Sequence, residues 1–255
     1  MARFVRDGYS LHYETHGEGR PVVLLHGITV SFAGNFGAWG WVEDLGARGF
    51  QVIGLDFRGH GASDKPHDPA AYGTEALAGD VLALLDHLGV ARTSLVGYSL
   101  GSKIALHLLH AAPERIGPSV LVATGDGLIG HPPFDSARVL PQIAAAVSRP
   151  EFPADLPSHA ATYWTFATNV GGDRQAALAA ARASYPVCDV ADLARVDVPV
   201  LVVSGERDPV LGRGPRLAAA FPKGRYVEIA GADHFQLAAH KAVRSAAAEF
   251  LQEAS

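Results

Sequence analysis

The sequence predicts an α/β protein with a mostly parallel, eight-stranded sheet that carries helices on both faces. Short apolar runs typical of buried strands alternate with helical segments, and this alternation is typical of a parallel sheet. The chain has 255 residues and is 48% hydrophobic, which suits one large domain. One long stretch without strand-like runs interrupts the alternation and predicts an inserted helical segment.

The first two strands are predicted to form a hairpin. Two β-favouring runs, at residues 4–6 and 9–14, flank Asp7 and Gly8, which form a favoured two-residue turn. Six further apolar runs predict strands at residues 21–26, 51–56, 93–96, 119–124, 198–203 and 225–229. Helical periodicity and helix-stop residues predict helices at residues 41–49, 74–88, 102–109, 136–148, 158–169, 174–184, 189–194, 215–221 and 237–252.

The helical insertion is predicted to form a small cap over the sheet. Between residues 125 and 196 the strand-like runs disappear, and alanine-rich pieces punctuated by proline replace them. We therefore expect a core made of residues 1–124 and 197–255, with a cap at 125–196. The cap is rich in aromatic residues, which pack small helical lids and also line apolar ligand sites. From this region and the neighbouring loop, Trp39, Phe134 and Trp164 are the predicted pocket residues.

Residues 97–101 read Gly-Tyr-Ser-Leu-Gly and carry the main chemical signal. They join a β-favouring run to a helix-forming run, and G-x-S-x-G in that context is a nucleophile elbow. The central residue, Ser99, is expected in a strained backbone conformation, with glycine at 97 and 101 because no side chain fits there. Ser99 would stand at a helix N-terminus, where negative charge is stabilised.

A base and an acid are available downstream in two turns. Asp208 follows the strand at 198–203, and His234 follows the strand at 225–229. Loops that leave the carboxyl ends of parallel strands share one edge of the sheet, so both residues are expected near Ser99. Asp126, after the strand at 119–124, is a competing acid. Asp233 and Glu206 are less suitable, because the first adjoins the histidine and the second is a typical solvated turn residue.

These motifs together resemble the α/β-hydrolase fold family over nearly the whole chain. The matching segments are residues 24–27, 56–64, 97–101, 205–208 and 231–234. The resemblance implies that Ser99 is the nucleophile, His234 the general base and Asp208 the group that orients the imidazole. It further implies that the backbone N–H groups of Ile28 and Leu100 form the oxyanion hole.

Other residues suggest no cofactor and no metal. His26 and His60 are expected to orient loops, while His107 and His110 on one helix lack a third ligand. Residues 125–130 match G-x-G-x-x-G, but two prolines follow at 132 and 133 and disfavour a nucleotide-binding helix. The single cysteine excludes an internal disulfide framework.

The expected function is a serine hydrolase that cleaves a small, largely apolar carboxylic ester or lactone through an acyl-enzyme intermediate. A carbon–carbon bond hydrolase with the same three residues is an alternative, and so is a ligand receptor with slow turnover. The hydrolase resemblance implies a small-molecule substrate as the partner. The net charge of −5 and the lack of a basic stripe or long apolar segment predict no nucleic-acid partner and no membrane span. The charged N-terminal residues do not resemble a signal peptide, so we expect a cytoplasmic protein. We further expect it to be a monomer or a homodimer.

Overall fold

The structure is a computed structural model that describes residues 2–131, 136–169 and 172–254. Its centre is an eight-stranded sheet with strand order β1-β2-β4-β3-β5-β6-β7-β8. Only the β1–β2 and β2–β4 pairs are antiparallel, and the remaining pairs are parallel. The predicted fold class is thereby confirmed. The strands are β1 (Ala2–Arg6), β2 (Tyr9–His16), β3 (Arg20–Leu25), β4 (Phe50–Leu55), β5 (Thr93–Tyr98), β6 (Ile116–Val122), β7 (Val200–Gly205) and β8 (Gly224–Ile229).

The predicted N-terminal hairpin forms at the expected turn. Asp7 and Gly8 have φ angles of 52° and 80°, so both central turn residues are in the left-handed region. Two such residues make a turn whose twist matches that of the flanking strands. The Gly8 residue accommodates this geometry without strain, and Asp7 is among the few other residue types that tolerate it.

Helices connect the strands, and most lie where the sequence predicts them. They are α1 (Phe32–Asn35), α2 (Trp41–Gly46), α3 (Thr74–His87), α4 (Leu100–Ala111), α5 (Ser136–Val147), α6 (Ser158–Asn169), α7 (Arg174–Arg182), α8 (Val190–Leu193), α9 (Pro215–Ala219) and α10 (Lys241–Ala254). Two differences stand out. The α1 helix was not predicted, and α10 begins at Lys241 instead of residue 237 because turns occupy the intervening residues.

Side chains alternate between the two faces of the sheet along each central strand. On β3, Val22 and Leu24 belong to one apolar cluster, whereas Val23 and Leu25 belong to the other. Helices α2 and α10 cover the first face, while α3 and α4 cover the second. Burial on both faces explains why these strands read as continuous apolar runs in the sequence.

The described residues between β6 and β7 form the four helices α5 to α8, preceded by a 3₁₀-helix at Asp126–Ile129. Apolar residues of α5, α6 and α7, including Ile143, Tyr163 and Ala177, join the core cluster that also holds α3 and α4. The helical segment therefore packs on the α4 side of the sheet. The proposed division into core and cap remains a prediction.

Within the described ranges, no helix has the length and apolar character needed to cross a membrane.

Two glycines offer a matched test of the packing between α4 and the sheet. A Cβ atom at Gly101 would stand 1.9 Å from the backbone oxygen of Leu25, whereas a Cβ at Gly46 in α2 would meet nothing within 4 Å. We expect Gly101→Ala to lower the free energy of unfolding by about 3 kcal/mol or more, or to prevent folding. Gly46→Ala should leave it unchanged or raise it by up to about 1 kcal/mol. Equal unfolding free energies in urea for both variants would contradict this packing.

Candidate active site

Ser99 occupies a sharp turn between β5 and α4. Its φ and ψ angles are 53° and −107°, which places a residue other than glycine in a region that costs about 1–3 kcal/mol. The Ser99 N–H donates to the Val122 carbonyl at the end of β6 at 2.9 Å, and this hydrogen bond holds the turn against β6. A Cβ atom at Gly97 would lie 2.5 Å from the Gly101 carbonyl oxygen. There is thus no room for a side chain at either glycine that flanks Ser99.

Three side chains form a continuous hydrogen-bonded chain at the carboxyl edge of the sheet. The Ser99 Oγ atom lies 3.0 Å from His234 Nε2, and His234 Nδ1 lies 2.8 Å from Asp208 Oδ2. This geometry fits a tautomer in which Nδ1–H donates to the carboxylate and Nε2 accepts from the serine hydroxyl. The three residues come from three different loops, as predicted from their positions after the strands.

The Asp208 carboxylate is buried and fully engaged. Its Oδ1 atom accepts the N–H groups of Val210 and Leu211 at 2.7 and 3.0 Å. Burial acts to raise the pKa of Asp208, but attraction to His234, the hydrogen bond to it and the two N–H groups outweigh burial and lower that pKa. The carboxylate is therefore ionised at neutral pH and can stabilise a positive charge on the imidazole.

Ile28 and Leu100 lie at the same cavity as the serine. Leu100 is also the first residue of α4. Among the hydrogen bonds of the described residues, neither backbone N–H has an acceptor. The Gly27 N–H differs, since it donates to Asn35 Oδ1 at 2.8 Å. These positions suit donors for an oxygen anion near Ser99.

The competing acids are engaged elsewhere. Asp126 Oδ1 accepts the N–H groups of Arg216 and Leu217 at the start of α9. Asp233 Oδ1 accepts two N–H groups of its own turn. Glu206 is exposed, yet its carboxylate accepts the Gly231 N–H at 2.7 Å, so it links the acid turn to the histidine turn.

A buried polar network supports the loop that carries Ile28. His26 Nδ1 donates to the Gly27 carbonyl at 2.7 Å, and His26 Nε2 accepts the Phe57 N–H at 3.0 Å. This pair of contacts requires a neutral imidazole, and burial lowers the pKa of His26 despite the nearby Asp56 charge. The Asp56 carboxylate accepts the N–H of Phe32 at 2.8 Å, so it fixes the start of α1.

His60 is the second buried histidine of this network. Its Nδ1 atom donates to the Arg58 carbonyl at 2.9 Å. Burial lowers its pKa to about 3, with a further contribution from neighbouring His26. The prediction that His26 and His60 orient loops therefore agrees with their hydrogen bonds. His107 and His110 lie on α4 in ring contact, and His107 Nε2 is 3.4 Å from a carboxylate oxygen of Glu75.

Two cavities meet at Ser99. The smaller, of about 40 Å³, lies under α5 and has a mostly apolar lining that also includes Lys103. The larger, of about 230 Å³, contains His234 and opens past Trp39. Tyr163 lines both cavities, as does Ile28. The Tyr163 hydroxyl group is buried and has no hydrogen-bond partner among the described residues.

The three predicted pocket residues have different outcomes. Trp39 does line the larger cavity and is 45% exposed at its rim. Trp164 does not line either cavity, because it projects from the other side of α6 and donates to the Arg149 carbonyl at 2.9 Å. The residues of α6 that face Ser99 are Tyr163 and Phe166, which are three positions apart and so share a helix face. Phe134 lies outside the described residues.

Sequence reasoning missed Asn35, Tyr98 and Phe235, all of which line the larger cavity. Tyr98 donates to the His234 carbonyl at 2.5 Å and thereby holds the histidine turn. Tyr98 could have been identified from its place in the elbow motif, because it directly precedes Ser99. Asn35 carried no such signal, because it lies in a glycine-rich stretch without periodicity.

Comparison with known proteins places the chain in a family. Residues 20–163 match the alpha/beta hydrolase fold family, and residues 176–255 match a family described as TAP-like protein. A non-heme chloroperoxidase from Streptomyces lividans is 31% identical over 93% of this chain and 94% of its own length. The chain therefore belongs to the α/β-hydrolase fold family. The first curated relatives are matched over only about a third of their own length.

Solved structures agree with this assignment. A hydrolase from Pseudomonas aeruginosa PA01 superposes with a TM-score of 0.79 at 26% identity, over 98% of this chain and 97% of the other. The enol-lactonase from Burkholderia xenovorans LB400 gives a TM-score of 0.75 at 27% identity, over 98% and 99%. The similarities support a hydrolase.

The neutral buried histidines predict a pH-dependent stability. His60 is neutral when folded, but in the unfolded chain it takes up a proton near its ordinary pKa of 6.5. The unfolded state therefore binds more protons below that pH, and stability falls as the pH decreases from about 6.5 towards 4. We expect His60→Asn, which retains a donor for the Arg58 carbonyl, to reduce this slope by up to about 1.4 kcal/mol per pH unit.

Urea unfolding between pH 4 and 8 measures this effect. The two proteins should show the same pH dependence above pH 7, where His60 is neutral in both states, and diverge below it. Identical slopes below pH 6.5 would show that His60 is not held neutral in the folded protein.

Proposed function

We propose that this protein is a serine hydrolase that cleaves a small, largely apolar carboxylic ester or lactone through an acyl-enzyme intermediate. The observation that carries the proposal is the chain of two hydrogen bonds from Ser99 through His234 to Asp208. A serine hydroxyl is a weak nucleophile until a base accepts its proton, and the base must be held in the right orientation. The geometry supports these roles for the three residues.

In the first half of the reaction, Ser99 Oγ attacks the substrate carbonyl carbon while its proton passes to His234 Nε2. The ionised Asp208 stabilises the imidazolium that forms. His234 then donates the proton to the leaving alcohol oxygen, and the acyl group remains on Ser99. In the second half, His234 takes a proton from water, the hydroxide attacks the acyl carbon, and the acid leaves as Ser99 recovers its proton.

The carbonyl oxygen becomes negatively charged in both tetrahedral intermediates. The N–H groups of Ile28 and Leu100 are the proposed donors to that oxygen, because both residues line a cavity with Ser99 and neither N–H has an acceptor among the described residues. Loss of one such donor typically reduces the rate by about a hundred- to a thousand-fold. The strained turn at Ser99 and the His26 network would keep both donors in place before substrate binds.

The cavities support the proposed substrate class. The smaller, mostly apolar cavity beside Ile28 and Leu100 suits a short acyl group. Similarity to an enol-lactonase supports cyclic as well as open-chain esters. A receptor with slow turnover and a carbon–carbon bond hydrolase remain the alternatives. Repeated turnover of simple acetate esters would exclude the receptor and favour ester cleavage.

Replacement of the proposed nucleophile is the first test. Ser99→Ala should abolish hydrolysis of short-chain esters, because no oxygen remains to form the acyl-enzyme. The wild-type protein should also gain one adduct on Ser99 when treated with a serine-directed phosphonate, as seen by peptide mass mapping. Full activity of the variant, or an adduct on another residue, would refute the assignment.

A pair of aspartate variants tests the proposed acid. Asp208→Asn should reduce kcat on the order of ten-thousand-fold, because an amide cannot hold the imidazole in the required tautomer. Asp126→Asn is the matched control, since that carboxylate caps α9 and should affect stability more than rate. If the Asp126 variant loses activity while the Asp208 variant retains it, the roles of the two residues are reversed.

A further inference from the structure

The two cavities at Ser99 are chemically different, and His234 distinguishes them. His234 lines the larger cavity together with Ser99, while the smaller cavity runs from Ser99 along the apolar side chains of α5. A leaving alcohol receives its proton from the histidine, so it must lie on the histidine side. The larger cavity is therefore the site for the alcohol part of the substrate, and the smaller one is the site for the acyl part.

Asn35 occupies a defined orientation in the wall of the larger cavity. It ends the short helix α1, whose start is fixed by the Ser31 hydroxyl and the Asp56 carboxylate. Its Oδ1 atom accepts the Gly27 N–H at 2.8 Å. A carbonyl oxygen can accept from an N–H and an amide nitrogen cannot, so this contact decides which end of the amide is oxygen.

The other end of the amide is available to a ligand. Asn35 is 5% exposed and lines the larger cavity. Its Nδ2 atom makes no hydrogen bond to any of the described residues. This atom is also not fully enclosed, so part of it is accessible. The exposed remainder of the side chain therefore includes an NH₂ group that opens on this cavity.

Asn35 is close to the reacting atoms. A Cβ atom built on Gly27 would lie 3.4 Å from Asn35 Oδ1 and 3.5 Å from Ser99 Cβ, so one point stands between the two side chains. The alcohol part of an ester bound to Ser99 would extend past this point. We therefore expect an oxygen atom a few bonds beyond the scissile ester group to come within hydrogen-bonding distance of the amide.

We propose that Asn35 is a specificity-determining residue that donates a hydrogen bond to a neutral oxygen in the alcohol part of the substrate. The inference rests on the proposed function, because it assigns the leaving alcohol to the side of His234. It deepens that function by naming the substrate class: short-chain esters of oxygen-bearing alcohols, such as ethers or polyols, and lactones with an oxygen substituent on the alkoxy side.

The charge of the cavity favours a neutral substrate group. Among the described residues that line it, none is lysine, arginine, aspartate or glutamate. A carboxylate on the alcohol part would lose its hydration there without gaining a counterion. An ether, hydroxyl or carbonyl oxygen instead gains the Asn35 N–H and costs less to desolvate.

The test compares two acetate esters of nearly equal size. In 2-methoxyethyl acetate an ether oxygen replaces one methylene group of butyl acetate, so their kcat/KM ratio isolates the interaction with that oxygen. Asn35→Asp keeps an acceptor for the Gly27 N–H but removes the donor. We expect this variant to lower the ratio of methoxyethyl to butyl ester about three- to tenfold, as for one lost hydrogen bond.

Two further variants make the result decisive. Asn35→Ala also lacks the donor, so the ratio should fall as it does in Asn35→Asp, even if both esters react more slowly. Val30→Ala changes an apolar residue of the same cavity and should leave the ratio unchanged.

The outcomes separate this inference from the proposed function. If the Asn35 variants cleave both esters with the wild-type ratio, the specificity role is wrong while the hydrolase assignment stands. If the wild-type protein cleaves neither ester and the phosphonate does not label Ser99, the proposed function fails and the inference fails with it. A ratio that falls in both Asn35 variants and not in Val30→Ala supports the role of Asn35.

Discussion

The close approach of α4 to the strands beneath it is the constraint on which the site depends. With no side chain at Gly97 or Gly101, the helix can begin directly after β5 and press against the Leu25 carbonyl. Ser99 at this junction has a φ of 53°, in the left-handed region, and its hydroxyl lies 3.0 Å from His234 Nε2. The strain is offset by the packing of α4 between the sheet and the helical segment, where Ile104 and Leu108 are buried.

The loops that follow β3 and β4 are held by buried polar groups instead of by close backbone packing. Asp56 and His26 satisfy backbone N–H groups of the loops after β3 and β4, and Asn35 satisfies that of Gly27. Each contact pairs a backbone group that would otherwise be unsatisfied in the interior, which favours this conformation of the loops. The Ile28 N–H is left without an acceptor among the described residues, which is why we propose it as a donor to the substrate oxygen. Preorganisation of this kind reduces the reorganisation needed during reaction.

Much of this arrangement could be predicted from the sequence, because its signals are local. Apolar runs indicate buried strands, and residues that follow parallel strands meet at one edge, which is why Ser99, Asp208 and His234 could be grouped. The α1 helix could not be predicted in this way. Its Phe32 side chain packs against Gly54, where a Cβ atom would lie 2.3 Å from the ring, and such a contact is not visible in a local pattern. Trp164 shows a related limit. The aromatic content of a segment does not reveal which face of a helix lines the site.

The central claim is that Ser99 carries the substrate acyl group during turnover. Rapid acid quenching during hydrolysis of a short-chain ester, followed by peptide mass mapping, measures this directly. The account predicts that the peptide containing Ser99 gains the mass of the acyl group within the first turnover and loses it when substrate is exhausted. Steady hydrolysis without any acyl adduct, or an adduct on a different residue, would contradict it.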